Sequence, residues 1–278
     1  VANIAPEAAV AEWEFLSGGR TNSAWRLHLQ DGDLVVKLYS GVAENPLFPN
    51  APDAEARLLQ ELDGSGLAPR LVVQIGTPAG ACNIYGHIQG QVWTEDTAGP
   101  AQLMKKLHMR APLQGLRSVA DGSEAVIEHT RTILSKCVRT DHIDTSPAED
   151  PVAPSGRSCL LHCDIVPGNL IHNAGGLHLI DWQCPAVGDP CEDIAIFLSP
   201  AMQSLYRGKP LRDAEVAAFM EAYDCPEVTA RYAALAPFYH WRMAAYCQWQ
   251  AERGRTEYEE VQGLEIAAAY KSASANPR

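Results

Sequence analysis

The chain has 278 residues, 46% of them hydrophobic, and a formal charge of −12 at neutral pH. That size and apolar content allow a substantial core in one large domain or two lobes, while the acidic balance argues against nucleic acid or an anionic membrane surface as partner, since both need clustered Lys and Arg. No apolar run of roughly eighteen residues is present and Val1 to Glu7 lacks the basic start and apolar core of a signal peptide, so the sequence predicts a cytoplasmic protein with no membrane partner.

In chain order, Glu12 to Leu16 alternates as a strand, Ser17-Gly18-Gly19-Arg20-Thr21-Asn22-Ser23 reads as a glycine turn, and Ala24 to Leu29 alternates again. A Gly-Gly turn is usually only a hairpin, but small residues also let a loop lay its backbone N–H groups over phosphates. The next strand, Asp33 to Tyr39, carries Lys37 on the same face as Val35 and Tyr39. One reading is a solvated face; the other is a partly desolvated lysine that needs an anion, with a nucleotide phosphate and Glu55 as candidates. Glu55 belongs to a helix over Pro52 to Leu62, with Asp53 as its expected N-cap, and it shares a stripe with Leu58, Leu59 and Leu62. Leu67 to Val73 and Ala81 to Ile88 then read as the last two strands of a five-stranded sheet, ended by Gln89-Gly90.

From Pro100 the pattern turns helical, with Leu103, Met104, Leu107 and His108 on one stripe, where a packed core histidine is the favoured reading. A second helix covers Ser123 to Cys137, and Thr140 to Arg157, rich in Asp, Pro and Ser, reads as a mobile loop. The chemistry concentrates between Leu160 and Asp181. Leu160-Leu161 and Leu170-Ile171 flank a loop holding Asp164 and Asn169, and the turn Asn173-Ala174-Gly175-Gly176 sends the chain back through Leu177 to Ile180 and Asp181. A hairpin brings its open ends together, so Asn169 and Asp181 are expected to meet. An amide and a carboxylate there suit a nucleotide-bound magnesium ion, which takes one or two protein oxygens plus phosphate and water. Asp164 is placed to accept a proton from a hydroxyl. Each residue alone would be an ordinary turn or cap residue; their order and spacing favour the catalytic reading.

This segment resembles the protein-kinase-like phosphotransferases, and among them the aminoglycoside phosphotransferase and choline kinase family. The family pattern H-x-D-x-x-P-x-N, then I-D-W, then G-D-P-x-x-D is matched by His162-Cys163-Asp164 to Pro167-Gly168-Asn169, by Ile180-Asp181-Trp182 and by Gly188-Asp189-Pro190-Cys191-Glu192-Asp193. One departure is Cys163, where family members usually have Gly; it is expected to affect packing more than chemistry. Asp189, before Pro190 and Glu192, reads as an N-cap with a capping-box acid, and Asp189 and Asp193 are expected to be structural supports.

The resemblance implies an α+β, protein-kinase-like two-lobed fold: residues 1–90 form a nucleotide-binding lobe with a small antiparallel sheet and one helix, and residues 91–278 a larger, mainly helical catalytic and acceptor-binding lobe. It implies ATP or GTP and Mg2+ as cofactors, with Asp164 as catalytic base and Asn169 and Asp181 as metal ligands. Gly18, Gly19, Asn22, Lys37 paired with Glu55, and the backbone of Gly86 and Ile88 would bind the nucleotide. The acceptor would be a hydroxyl of an aminoglycoside, choline or ethanolamine, thiamine or a sugar. A protein kinase fits less well, because seven residues between Asp181 and Asp189 leave little room for a long activation segment. A nucleotide-binding but catalytically silent regulator is the alternative, and retention of the base argues against it.

After this segment the chain reads as helices over Asp213 to Tyr223, Pro226 to Ala236, Pro237 to Glu252 and Glu257 to Lys271. Residues 210–270 hold ten Asp or Glu against five Arg and no Lys, and Phe238 to Trp249 is rich in aromatics. Core packing is the ordinary reading of those aromatics, and recognition of a cationic amine acceptor is the alternative. Eight cysteines are present without a C-x-x-C pair; Cys159, Cys163, Cys184 and Cys191, near His162 and His172, fit no common zinc spacing and read as buried thiols.

Overall fold

The computed structural model describes residues 11–16, 22–39, 44–148 and 150–275. Gly18 and Gly19 lie outside the described residues. The first elements are β1 (Trp13–Phe15), β2 (Ser23–Leu27), β3 (Leu34–Tyr39), α1 (Pro52–Glu61), β4 (Leu71–Thr77), β5 (Gly80–Gly86) and β6 (Gln91–Val92). Next come α2 (Ala98–His108), β7 (Arg117–Ser118), α3 (Ser123–Leu134), β8 (Cys159–Leu161), a 3-10 turn (Pro167–Asn169), β9 (Leu170–Asn173), β10 (Gly176–Leu179) and β11 (Ala186–Gly188). The chain closes with α4 (Cys191–Leu198), α5 (Pro200–Arg207), α6 (Asp213–Tyr223), α7 (Pro226–Ala251) and α8 (Glu257–Ala275). No helix among the described residues is long and apolar enough to cross a membrane.

Two compact units result, one of Val1–Gln91 with Ile171–Pro185, the other of Val92–Leu170 with Ala186–Arg278. A hairpin of later sequence thus counts with the N-terminal elements.

In the first unit, five antiparallel strands are ordered β1-β2-β3-β5-β4, which is the strand number the sequence pattern suggests. The fourth strand begins at Leu71 rather than Leu67. Leu67 is fully buried and its backbone faces elsewhere: its N–H donates to Ser65 Oγ and its carbonyl accepts from Leu179 N–H. Helix α1 starts two residues earlier than an Asp53 cap would allow. Ala51 is the cap, its own N–H held by the Gln183 carbonyl, and the Asp53 carboxylate accepts from Gln74 Nε2 instead. Glu55, Ala56, Leu58 and Leu59 are the buried face, as the stripe requires. At Gly90 a side chain has no room, since a Cβ would lie 2.5 Å from the His172 carbonyl oxygen.

In the second unit β11 lies between β7, to which it is parallel, and β8, to which it is antiparallel. The helices behind this small sheet are longer and more buried than the sequence pattern suggests. Pro237 was expected to separate two helices, yet α7 runs through it for 26 residues. A proline removes one N–H bond from a helix interior, but Leu235 to Trp249 are all buried, and packing on every side outweighs that loss. The aromatics Tyr239, Trp241, Tyr246 and Trp249 are therefore core residues. Helix α5 was not anticipated, although its signals are present: Ser199 Oγ accepts from Met202 N–H, Pro200 opens the first turn and Gly208 closes the last in the left-handed conformation. The loop expected to be mobile is tied down over 152–156. Val152 exchanges hydrogen bonds with Ser123, Asp121 accepts from the N–H groups of Ser155 and Gly156, and Arg231 Nη1 donates to the Ala153 carbonyl.

Candidate active site

Within the second unit, strand β8 buries Leu160 and Leu161 against β11 and delivers His162, Cys163 and Asp164 at its end. Cys163 has φ +62°, a left-handed conformation that costs a residue with a Cβ roughly 1 kcal/mol and costs glycine nothing. Glycine would adopt this conformation without strain. The N–H groups of His162 and Cys163 donate to Asp193, to Oδ2 at 3.0 Å and to Oδ1 at 2.7 Å. His108 Nε2 adds a third donor at 3.0 Å, and its Nδ1 meets the Tyr223 hydroxyl at 2.8 Å. Burial would raise the Asp193 pKa, but the hydrogen bond and charge of His108 and the backbone donor of His162 hold it below the ordinary carboxylate value. His108 therefore does more than fill the core, and only its position beside Asp193, 85 residues away in sequence, shows this.

Beyond Asp164 the loop closes on itself. Val166 N–H and Asn169 Nδ2 both donate to the Asp164 carbonyl, at 3.0 and 2.9 Å, and Asn169 N–H donates to the Val166 carbonyl. The Asn169 amide nitrogen is thereby engaged within the loop. Helix α5 backs the turn, since a Cβ on Gly168 would meet the Tyr206 ring at 2.8 Å. Asp189 holds the start of α4 and ties it to α7: Oδ1 accepts from Cys191 N–H and Oδ2 from Arg231 Nε at 2.6 Å. Glu192 forms no capping box; its carboxylate is buried against Arg242 Nη2 at 2.6 Å.

In the first unit, Lys37 on β3 is buried and its ammonium donates to Glu55 Oε1 at 3.0 Å and to Asp181 Oδ1 at 2.5 Å. The lysine–glutamate pair anticipated from the apolar stripe is present, and it has a third member. Burial works against the Lys37 charge, but the Asp181 and Glu55 carboxylates outweigh it and hold the pKa above the ordinary lysine value. Burial in turn lifts the Glu55 carboxyl against the pull of Lys37. Asp181 follows β10 with φ +60° and keeps 31% of its side chain exposed, so one carboxylate of the network faces solvent. Trp182 beside it is fully buried, its indole N–H donating to the Leu179 carbonyl.

Other expected nucleotide contacts are narrowed by their partners. The Asn22 side chain exchanges hydrogen bonds with Asn50 and donates to Gln183 Oε1 at 2.9 Å, which engages both of its amide hydrogens. The Gly86 N–H donates to the Arg70 carbonyl and the His87 N–H to that of Asp33, so Gly86 can offer a base its carbonyl only.

Asp181, in the first unit, and Asn169, in the second, each carry a hard oxygen of the kind magnesium takes. Among the described residues no three His, Cys, Asp or Glu side chains gather as a metal cage. Burial raises the thiol pKa of Cys82, Cys159 and Cys191, and pushes Cys137 up to about 11.

Comparison with known proteins places this geometry. The chain is similar in structure to a choline/ethanolamine kinase family protein from Mesorhizobium loti, with a TM-score of 0.66, 17% identity and coverage of 96% of this chain and 89% of that one. A choline kinase from Cryptosporidium parvum Iowa II gives a TM-score of 0.64 at 14% identity, covering 96% and 90%. A thermostable mutant of aminoglycoside phosphotransferase APH(4)-Ia, in ternary complex with ADP and hygromycin B, gives 0.65 at 15% identity, covering 98% and 97%. At such identities these likenesses establish the protein-kinase-like α+β fold. No curated protein matches the chain. The model of the phosphotransferase enzyme family, APH, matches residues 12–238, most of the chain and every candidate site residue, and the chain belongs to that family.

Proposed function

We propose that the protein transfers the γ-phosphoryl group of ATP or GTP to a hydroxyl of a small molecule, with Mg2+. The observation that carries this reading is the buried Lys37 network, in which one ammonium is held between Glu55 and the part-exposed Asp181. Structural support would be served by a single partner; a second carboxylate open to solvent suits an exchangeable polyanion and its cation.

Lys37, oriented by Glu55, binds the α- and β-phosphates. Asn169 and Asp181 would hold the magnesium ion, which supplies charge neutralisation on the phosphate oxygens. Asp164 accepts the proton of the attacking hydroxyl and orients it for in-line attack. The adenine or guanine base would meet the Gly86 carbonyl and the Ile88 backbone. The similar structures were solved with ADP and hygromycin B and with ADP and spectinomycin, or are choline and ethanolamine kinases, which supports an amino-alcohol or amino-sugar acceptor. Charge narrows this little, because many acids of residues 210–270 are engaged internally: Glu215 with Arg207, Glu265 with His240, Glu252 with Gln248.

The test is magnesium-dependent ATP and GTP consumption against a panel of aminoglycosides, choline, ethanolamine, thiamine and sugars. Stimulation by one acceptor is expected, with Asp164→Asn lowering turnover about a hundredfold or more at nearly unchanged nucleotide affinity. Nucleotide binding without turnover on any acceptor would favour the silent regulator.

A further inference from the structure

Asn83 on β5 stands directly opposite Lys37 in the antiparallel register, so both side chains leave the same face of the sheet. Its amide nitrogen donates to Glu55 Oε2 at 3.2 Å and to the Pro52 carbonyl, in the first turn of α1, at 3.1 Å. The residue is fully buried, and its Oδ1 is buried with no hydrogen-bond partner among the described residues. An orphaned buried acceptor lowers stability, and an apolar side chain of the same shape would avoid that loss. Asparagine here is therefore explained by what its nitrogen does.

Among the described residues, Glu55 without Asn83 would have Lys37 as its only side-chain hydrogen-bond donor, reached by both oxygens at 3.0 and 3.2 Å. A carboxylate tied only to a flexible ammonium can rotate and drag that ammonium with it. A second donor fixes the carboxylate plane. A neutral donor does so without competing with Lys37 for charge, which an arginine or lysine at this position would do. The bond to Pro52 fixes the start of α1, whose Ala51 cap makes no side-chain hydrogen bond. Resting on the phosphotransferase reading, we propose that Asn83 is a positioning residue for nucleotide binding: through Glu55 and the first turn of α1 it holds the Lys37 ammonium in place to receive the phosphates.

The experiment is a double-mutant cycle on the full chain, reading Mg·ADP affinity by calorimetry in wild type, Asn83→Leu, Glu55→Ala and the double variant, with thermal melts to confirm folding. Asn83→Leu is expected to weaken binding about five- to tenfold, as for the loss of one ordinary hydrogen bond. Because Asn83 acts through Glu55, the double variant should bind no more than about twofold weaker than Glu55→Ala alone. Affinity losses that multiply, or an Asn83→Leu variant that binds as wild type does, would overturn the proposal while leaving the phosphotransferase reading intact. If the leucine variant does not fold, Asn83→Ala, which removes the donor without adding another, takes its place in the cycle with the same outcomes. Failure of the wild-type protein to bind Mg·ADP would overturn both readings together.

Discussion

In the helical unit a carboxylate, Asp193, is surrounded by N–H donors, whereas in the sheet unit an ammonium, Lys37, is surrounded by carboxylates. Two of the three Asp193 donors are backbone groups of the loop that carries Asp164, and none of them has a reason to leave. Of the Lys37 partners, Glu55 is buried and held by Asn83, whereas Asp181 is part-exposed and can be exchanged for phosphate or a metal ion. The first arrangement suits a fixed base and the second a ligand seat. The contrast predicts stability defects from one centre and binding defects from the other.

The largest effect is expected from Asp193→Ala, which strands two buried N–H groups and His108. It should cost about 3 kcal/mol or more and lower the melting temperature by roughly 10 °C for a chain of this size, as scanning calorimetry would show. A melting temperature close to wild type would mean that the loop holds itself. Next comes Lys37→Met, expected to weaken Mg·ADP binding about a hundredfold in calorimetric titration. If it did so no more than Asn83→Leu, the ammonium would not be the phosphate group's partner.

The two centres also differ in pH response. The folded pKa of Asp193 lies below its ordinary value of 3.8, so its stabilisation is fully present above that value and is lost as pH falls through the folded pKa. The folded pKa of Lys37 lies above 10.5, so its share is present at all lower pH and is lost only as pH rises through that raised value. Melting temperatures should therefore fall below about pH 4, and Asp193→Asn, less stable throughout, should show a smaller further fall there. An unchanged acid limb in that variant would assign it to other carboxylates. The smallest effect is expected at Cys163. Cys163→Gly relieves the left-handed φ of +62° but gives up a buried thiol, so the net change should lie within about 1 kcal/mol, with turnover preserved. A large loss of turnover would give the thiol a part in the chemistry.

The loop and hairpin that carry Asp164, Asn169 and Asp181 are legible in the chain because turn chemistry and apolar flanks are local signals. The Lys37–Glu55 pair is legible too, since a charge on an apolar stripe advertises a missing partner. The supports are different in kind. Asp193 bonds the backbone 30 residues before it, and a backbone N–H is the same in every sequence, so nothing in the loop announces its acceptor. Asn83 reads as one more strand residue until register sets it opposite Lys37. Proline at 237 has a clear local meaning that burial of the surrounding helix overrides.

By itself, then, the sequence determined the family, the strand count of the sheet and the Lys37–Glu55 pair, because these follow from short-range pattern and side-chain chemistry. Only the tertiary structure decided which carboxylate holds the Asp164 loop, that Asp181 joins the Lys37 pair and that Asn22 and Gly86 have their side-chain or N–H groups engaged elsewhere. The reason is that hydrogen-bond partners brought together from distant positions depend on register and burial, which no local stretch of chain encodes.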